Sequence, residues 1–162
     1  MHWLMVILVA AMFLIGWYMV DLPRGSDRGY FFALHKSLGL TVFLLLLLRL
    51  FWRIKNAPPK LPPEVSQFRR QVSGVVHRLF YILLFLQPIS GYMSSSFSGY
   101  KTSFFSLALP HWGWSDPPLN ELLTELHVIF SISLMLTVVL HVVGVVMHVV
   151  EGHSHLFRRM WF

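Results

Sequence analysis

The chain has 162 residues, enough for one domain, and 56% of them are hydrophobic against 12% charged, a balance far from that of a soluble protein. Its net charge of +6 does not point to nucleic acid, because the Lys and Arg residues fall between apolar runs instead of along one basic face. It has no cysteine, which excludes disulfides, iron–sulfur clusters and any thiolate-held metal, so a metal centre must rest on histidine.

A bilayer core of roughly 30 Å takes about 20 apolar residues of helix. The first run of that kind predicts a helix over 2–20. It lacks a basic n-region and outlasts an ordinary h-region, so it reads as a span and not as a signal peptide. It begins abruptly at Met1-His2, which leaves room for a native start upstream. Residues 21–29 carry turn residues and balanced charge and form a short loop. The second helix is expected over 30–52, with His35 and Lys36 near its start and Arg49, Arg53 and Lys55 at its far end.

The prolines of 56–63 forbid a helix interior, and 64–70, with Arg69 and Arg70, offers a surface helix. The third span is expected over 75–93, kinked at Pro88. Residues 94–118 are polar and aromatic, with Trp112 and Trp114 at interface depth. The fourth and longest helix covers 119–150. The fold class is therefore all-α: an integral-membrane four-helix bundle, a single domain over 1–162.

Positive charge sets the orientation. Arg49, Arg53, Lys55, Lys60, Arg69, Arg70 and Arg78 cluster around the second connection, whereas the third holds only Lys101. That basic loop belongs in the cytoplasm, which places both termini inside, with Arg158 and Arg159 in the tail. Arg24 and Arg28 lie outside, offset by Asp21 and Asp27.

Ionisable residues inside a span are costly and mark function by default. His127 and His141 are 14 residues apart, about 21 Å of helical rise with an angular offset of about 40°, so they share one helix face at two depths. His35 opens the second helix at the outer level, and His2 opens the first at the inner level. Depth alone pairs His35 with His127 and His2 with His141, although His77 and His148 also lie at inner depth. Two imidazoles with no open position suit b-type haem, and the bundle interior suits electron transfer; zinc would want four ligands. Gly39 and Gly144, with Gly16 and Gly91, offer bare backbone against which a macrocycle fits.

His148, His77 and Arg69 are candidates for contacts to a quinone headgroup or to haem propionates, and Arg49 and Arg53 either meet propionates or anchor the helix end. Outside, Arg24, Arg28, Lys36 and Lys101 make a positive field for a small anion. His111, His153 and His155 read as solvated.

The early His2-Trp3, the loop from Pro23 to Arg28, and His35 opening the second helix form one part of a pattern. Arg49 and Arg53-Ile-Lys before a Pro-rich loop, His77 eleven residues before Pro88, and the series His127, His141, His148 complete it. Together they resemble the bacterial, prokaryotic-type cytochrome b-561 family over essentially the whole chain. The resemblance implies a multi-pass di-haem protein of the inner membrane that holds two haem b groups and exchanges electrons with ubiquinone. It further implies a superoxide oxidase-like activity, in which periplasmic superoxide is the donor, the outer haem (His35, His127) passes electrons to the inner one (His2, His141), and His148 faces the quinone. The chain departs from the family in lacking the short stretch that usually precedes the first His-Trp. Two alternatives remain open: a cytochrome b subunit serving a separate dehydrogenase or periplasmic protein donor, and a haem-free membrane scaffold or transporter subunit.

Overall fold

The computed structural model describes residues 1–56, 65–105, 107–110 and 112–151. His111, His153, His155, Lys60, Arg158, Arg159 and the prolines of 58–63 lie outside the described residues. Among the described residues four helices dominate, α1 (His2–Asp21), α2 (Ser26–Lys55), α3 (Gln67–Phe97) and α4 (Pro117–Val150), with two short strands, β1 (Ser103–Phe104) and β2 (Leu107–Ala108), between the last two. All four helices are long and apolar enough to cross a membrane.

α1 starts at His2 as expected, whereas α2, α3 and α4 start earlier than the hydropathy pattern predicts, and in α3 and α4 a polar cap extends the helix beyond its apolar run. Asp116 accepts from the Leu119 amide at 3.1 Å, and Pro117 occupies the first helical position, where its missing N–H costs nothing. Ser66 likewise caps α3, so the expected surface helix and third span are one continuous helix. At its other end α3 runs on through three serines: Ser96 returns its hydroxyl to the Tyr92 carbonyl at 3.0 Å, and Ser95 bonds Thr102. Hydroxyls that bond the preceding turn keep such a stretch helical.

Outward faces are apolar. Ile7, Leu14, Leu44, Ile132 and Leu136 are each more than half exposed, as expected of side chains that meet lipid. The inward positions mix Leu46, Val42, Leu83 and Leu134 with small polar residues, Ser37, Ser90 and Thr137, whose size lets helices approach closely. Packing runs in sequence: α1 on α2, α2 on α3, and most extensively α3 on α4. Between α4 and either α1 or α2 the backbones make at most slight contact. The slot between α4 and the first helix pair is therefore bridged by side chains and not by backbones.

The antiparallel β1–β2 hairpin pairs Ser103 with Ala108 and Phe104 with Leu107. It is fixed to α2 by Ser37, whose hydroxyl accepts from the Phe105 amide at 2.8 Å and donates to the Ala33 carbonyl at 2.8 Å. The hairpin thus covers the bundle end where α2 and α4 begin.

Candidate functional site

The slot contains two histidine groups at two levels. At the hairpin end His35 of α2 and His127 of α4 meet with ring centroids 6.2 Å apart. His35 lies against α1 because Gly16 has no side chain: a Cβ there would come within 3.3 Å of His35 Cε1. His35 Nδ1 is buried without a hydrogen-bond partner.

His127 is held on α3. Its Nδ1 bonds the Gln87 carbonyl at 2.9 Å, with Ser90 Oγ at 3.1 Å. Gly91 lets the ring approach, since a Cβ there would stand 2.9 Å from His127 Cε1. A carbonyl accepts only, so Nδ1 carries the proton and Nε2 presents its lone pair to the slot. The Gln87 amide nitrogen donates to that lone pair at 3.2 Å, while Gln87 Oε1 is buried without a partner. The amide therefore covers Nε2 with half of its own hydrogen-bonding capacity unused.

At the opposite end His141 of α4 meets His2 of α1 at 6.3 Å, His77 of α3 at 5.5 Å and Phe80 at 5.4 Å. His77 Nδ1 bonds the Ser73 carbonyl at 2.7 Å, the same orienting device as at His127. Arg49 Nη1 reaches Met5 Sδ at 3.9 Å. Beside Gly144 no heavy atom lies within 4 Å of where a Cβ would be. Gly16 and Gly91 seat imidazoles, and Gly39 meets Met12 Cε at 3.3 Å.

These distances test whether a metal-centred macrocycle fits. An imidazole nitrogen binds a metal at about 2 Å, so two imidazoles on opposite sides of one ion hold their ring centroids about 6 Å apart. The His35–His127 and His2–His141 pairs meet that separation, and His77–His141 falls short of it. Among the described residues no three His, Asp or Glu side chains gather into a metal cage. A pair of imidazoles alone leaves the remaining coordination positions to a planar macrocycle, whereas a four-ligand zinc site is not provided for. The residues present fit haem.

The other sequence candidates are dispersed. Arg69 forms an ion pair with Glu151, which ties the start of α3 to the end of α4. His148 is half-buried in the last turn of α4, two turns beyond His141. Arg24 is exposed on the first connection. Arg28 donates to the Leu22 carbonyl at 3.0 Å and lies over the Phe32 ring at 5.5 Å. Lys36 follows His35 on α2 and is half-buried. The sequence reading missed Gln87 and Ser90, whose signal was polarity inside an apolar span, and Phe80, which gives none.

A four-span bundle whose imidazoles pair across its interior is the architecture of a membrane b-type cytochrome. The chain matches the prokaryotic cytochrome b561 family over residues 1–162 and belongs to it, a family of membrane electron-transfer proteins that bind haem b. It is 38% identical over 119 residues to cytochrome b561 homolog 2 of Escherichia coli (strain K12), an alignment that covers 72% of this chain and 59% of that relative, so the match spans less than two thirds of that protein. It is 24% identical over 150 residues to the probable superoxide oxidase CybB of Yersinia pestis, with 91% and 83% of the two chains covered. It is also 24% identical over 132 residues to cytochrome b561 homolog 1 of Escherichia coli (strain K12), with 78% and 73% covered.

Proposed function

We propose that the chain is a di-haem cytochrome of the bacterial inner membrane that oxidises periplasmic superoxide and reduces ubiquinone. The observation that carries this reading is the pair of imidazole pairs, His35–His127 at 6.2 Å and His2–His141 at 6.3 Å, one at each end of the slot. Haem b, when bound between two imidazoles, supplies a one-electron iron couple with no open position for oxygen. The name of the Yersinia pestis relative supports superoxide as donor.

Two superoxide anions lose one electron each and leave as dioxygen; one ubiquinone gains those two electrons and two protons and leaves as ubiquinol. Lys36, beside His35, and Arg24 and Arg28 on the adjoining connection supply a positive field toward which an anion drifts. His127 and His35 are held by α3 and by the Gly16 surface of α1, so neither imidazole must reorganise. At the other end His77 braces His141, and His148 is the residue assigned to hydrogen-bond the quinone headgroup. Arg69 closes that end through Glu151. The basic ends of α2 and α3 face the cytoplasm by the positive-inside rule, which puts both termini there.

The test is to feed enzymatically generated superoxide to the purified protein with a soluble ubiquinone. One ubiquinol per two superoxide anions is expected, and none with His127→Ala. A second reading, an electron-transfer subunit fed by a protein donor, is favoured by the exposed aromatic surface of Tyr100, Phe105, Trp112 and Trp114 around the hairpin. It predicts intact haem spectra but no superoxide-dependent ubiquinol.

A further inference from the structure

Beside the inner histidine group, the outer seam between α2 and α3 holds two adjoining hollows of about 270 Å³ and 240 Å³ that share Leu50, Tyr81 and Ile82. The hollow toward the start of α3 has mostly apolar walls, but Arg53, His77, Arg78 and Tyr81 border it. The other is lined by Leu46, Phe85 and Leu86 in addition to the shared residues. Ile82 is 53% exposed and Phe85 41%, so the apolar part opens sideways to the surroundings of the bundle. From Gly74 to Leu86 the seam extends about 18 Å along α3 at 1.5 Å per residue, close to the roughly 15 Å depth of one hydrocarbon leaflet.

Among the described residues the charge at the basic end is uncompensated. Arg53 donates to the Tyr81 hydroxyl at 3.4 Å and stacks on its ring at 5.2 Å, and Arg78 donates to the Gly74 carbonyl at 3.2 Å. Among the described residues neither guanidinium has a carboxylate partner, and Glu151, a carboxylate at this end, is taken by Arg69. Both therefore have donors to spare at a place where an apolar channel begins.

We infer that the α2–α3 seam is a binding site for an anionic phospholipid, its phosphate held between Arg53 and Arg78 and one acyl chain laid along Leu46, Leu50, Ile82 and Phe85. Two arginines with no carboxylate partner among the described residues match a phosphate, and basic hollows between spans are where anionic headgroups bind. A neutral quinone would leave both cations uncompensated. Because His77 lines the hollow and its ring touches His141, the lipid lies one side chain away from the histidine slot.

The test uses the full haem-loaded chain, delipidated in detergent and titrated with phosphatidylglycerol, phosphatidylcholine or ubiquinone, with bound ligands counted by native mass spectrometry. Phosphatidylglycerol is expected to bind preferentially. Arg53→Gln/Arg78→Gln should weaken it about thirty-fold, from about 1 kcal/mol per basic residue near an anionic lipid surface. Ile82→Trp, which fills the apolar part and leaves the charges, should also reduce binding, and it serves if the double variant does not fold. Lys55→Gln, at the same end but outside the seam, should bind as wild type. Equal binding of the two phospholipids, ubiquinone outcompeting phosphatidylglycerol, or an equal loss in Lys55→Gln would overturn the inference. So would haem loss with unchanged lipid affinity in the double variant, since that assigns the arginines to the cofactor.

Discussion

Gly91 decides how His127 sits. A methyl there would stand 2.9 Å from the imidazole Cε1, and the ring, already bonded to the Gln87 carbonyl, has nowhere to retreat without losing that bond. If each histidine pair holds one haem, Gly91→Ala should therefore lower the count from two toward one per chain in a pyridine haemochrome assay. Gln87→Ala should leave the count at two, because the acceptor that orients His127 is the main-chain carbonyl and not the amide. His2 and His77 compete for His141, and the 6.3 Å separation favours His2. His2→Ala should cost one haem and His77→Ala none; the reverse result would reassign the inner ligand. The histidines were legible because each is a polar residue in an apolar span at a matching depth. Their orienting carbonyls on Gln87 and Ser73 were not, since every residue has a carbonyl and only packing shows which one is used.

At the scale of the elements, caps and back-bonded hydroxyls explain where the sequence reading fell short. Hydropathy stops at the edge of the apolar run, whereas the helix stops where its orphan amides run out of partners. The Asp116-Pro117 start of α4 was written in the chain as an N-cap with proline at the first position. Asp116→Ala should lower stability by about 1 kcal/mol, read as a drop in Tm with the haem spectrum unchanged. The hairpin carried no such signal: two-residue strands have no periodicity, and their anchor, Ser37, is one serine among many. Removing its hydroxyl strands the Phe105 amide, which should cost about 1–2 kcal/mol and show as faster proteolysis between α3 and α4. The Arg69–Glu151 pair, partly exposed, should by contrast contribute under about 1 kcal/mol, so Arg69→Gln should scarcely move Tm.

Across the whole molecule the order of packing matters more than any single contact. Because the α4 backbone leans on α3 and stays away from those of α1 and α2, the imidazole pairs bridge α4 to the first helix pair at two levels. Four spans and the positive-inside bias were readable from apolar runs and charge counts; the slot was not, because it depends on which helices decline to touch. The half-buried Lys36 next to His35 ties that slot to the hairpin end. If superoxide is the donor, Lys36→Glu should lower kcat/KM for superoxide by roughly tenfold at low ionic strength, with the difference shrinking as salt rises. A protein donor would show no such dependence on superoxide.

The central claim is that two histidine pairs hold two haems, and the most direct measurement is a reduced-minus-oxidised optical spectrum with a haemochrome count on wild type, His127→Ala and His2→Ala. Two b haems per chain in wild type and one, spectrally different, in each variant is the predicted result. One haem in wild type, or a variant that keeps both, would contradict the pairing.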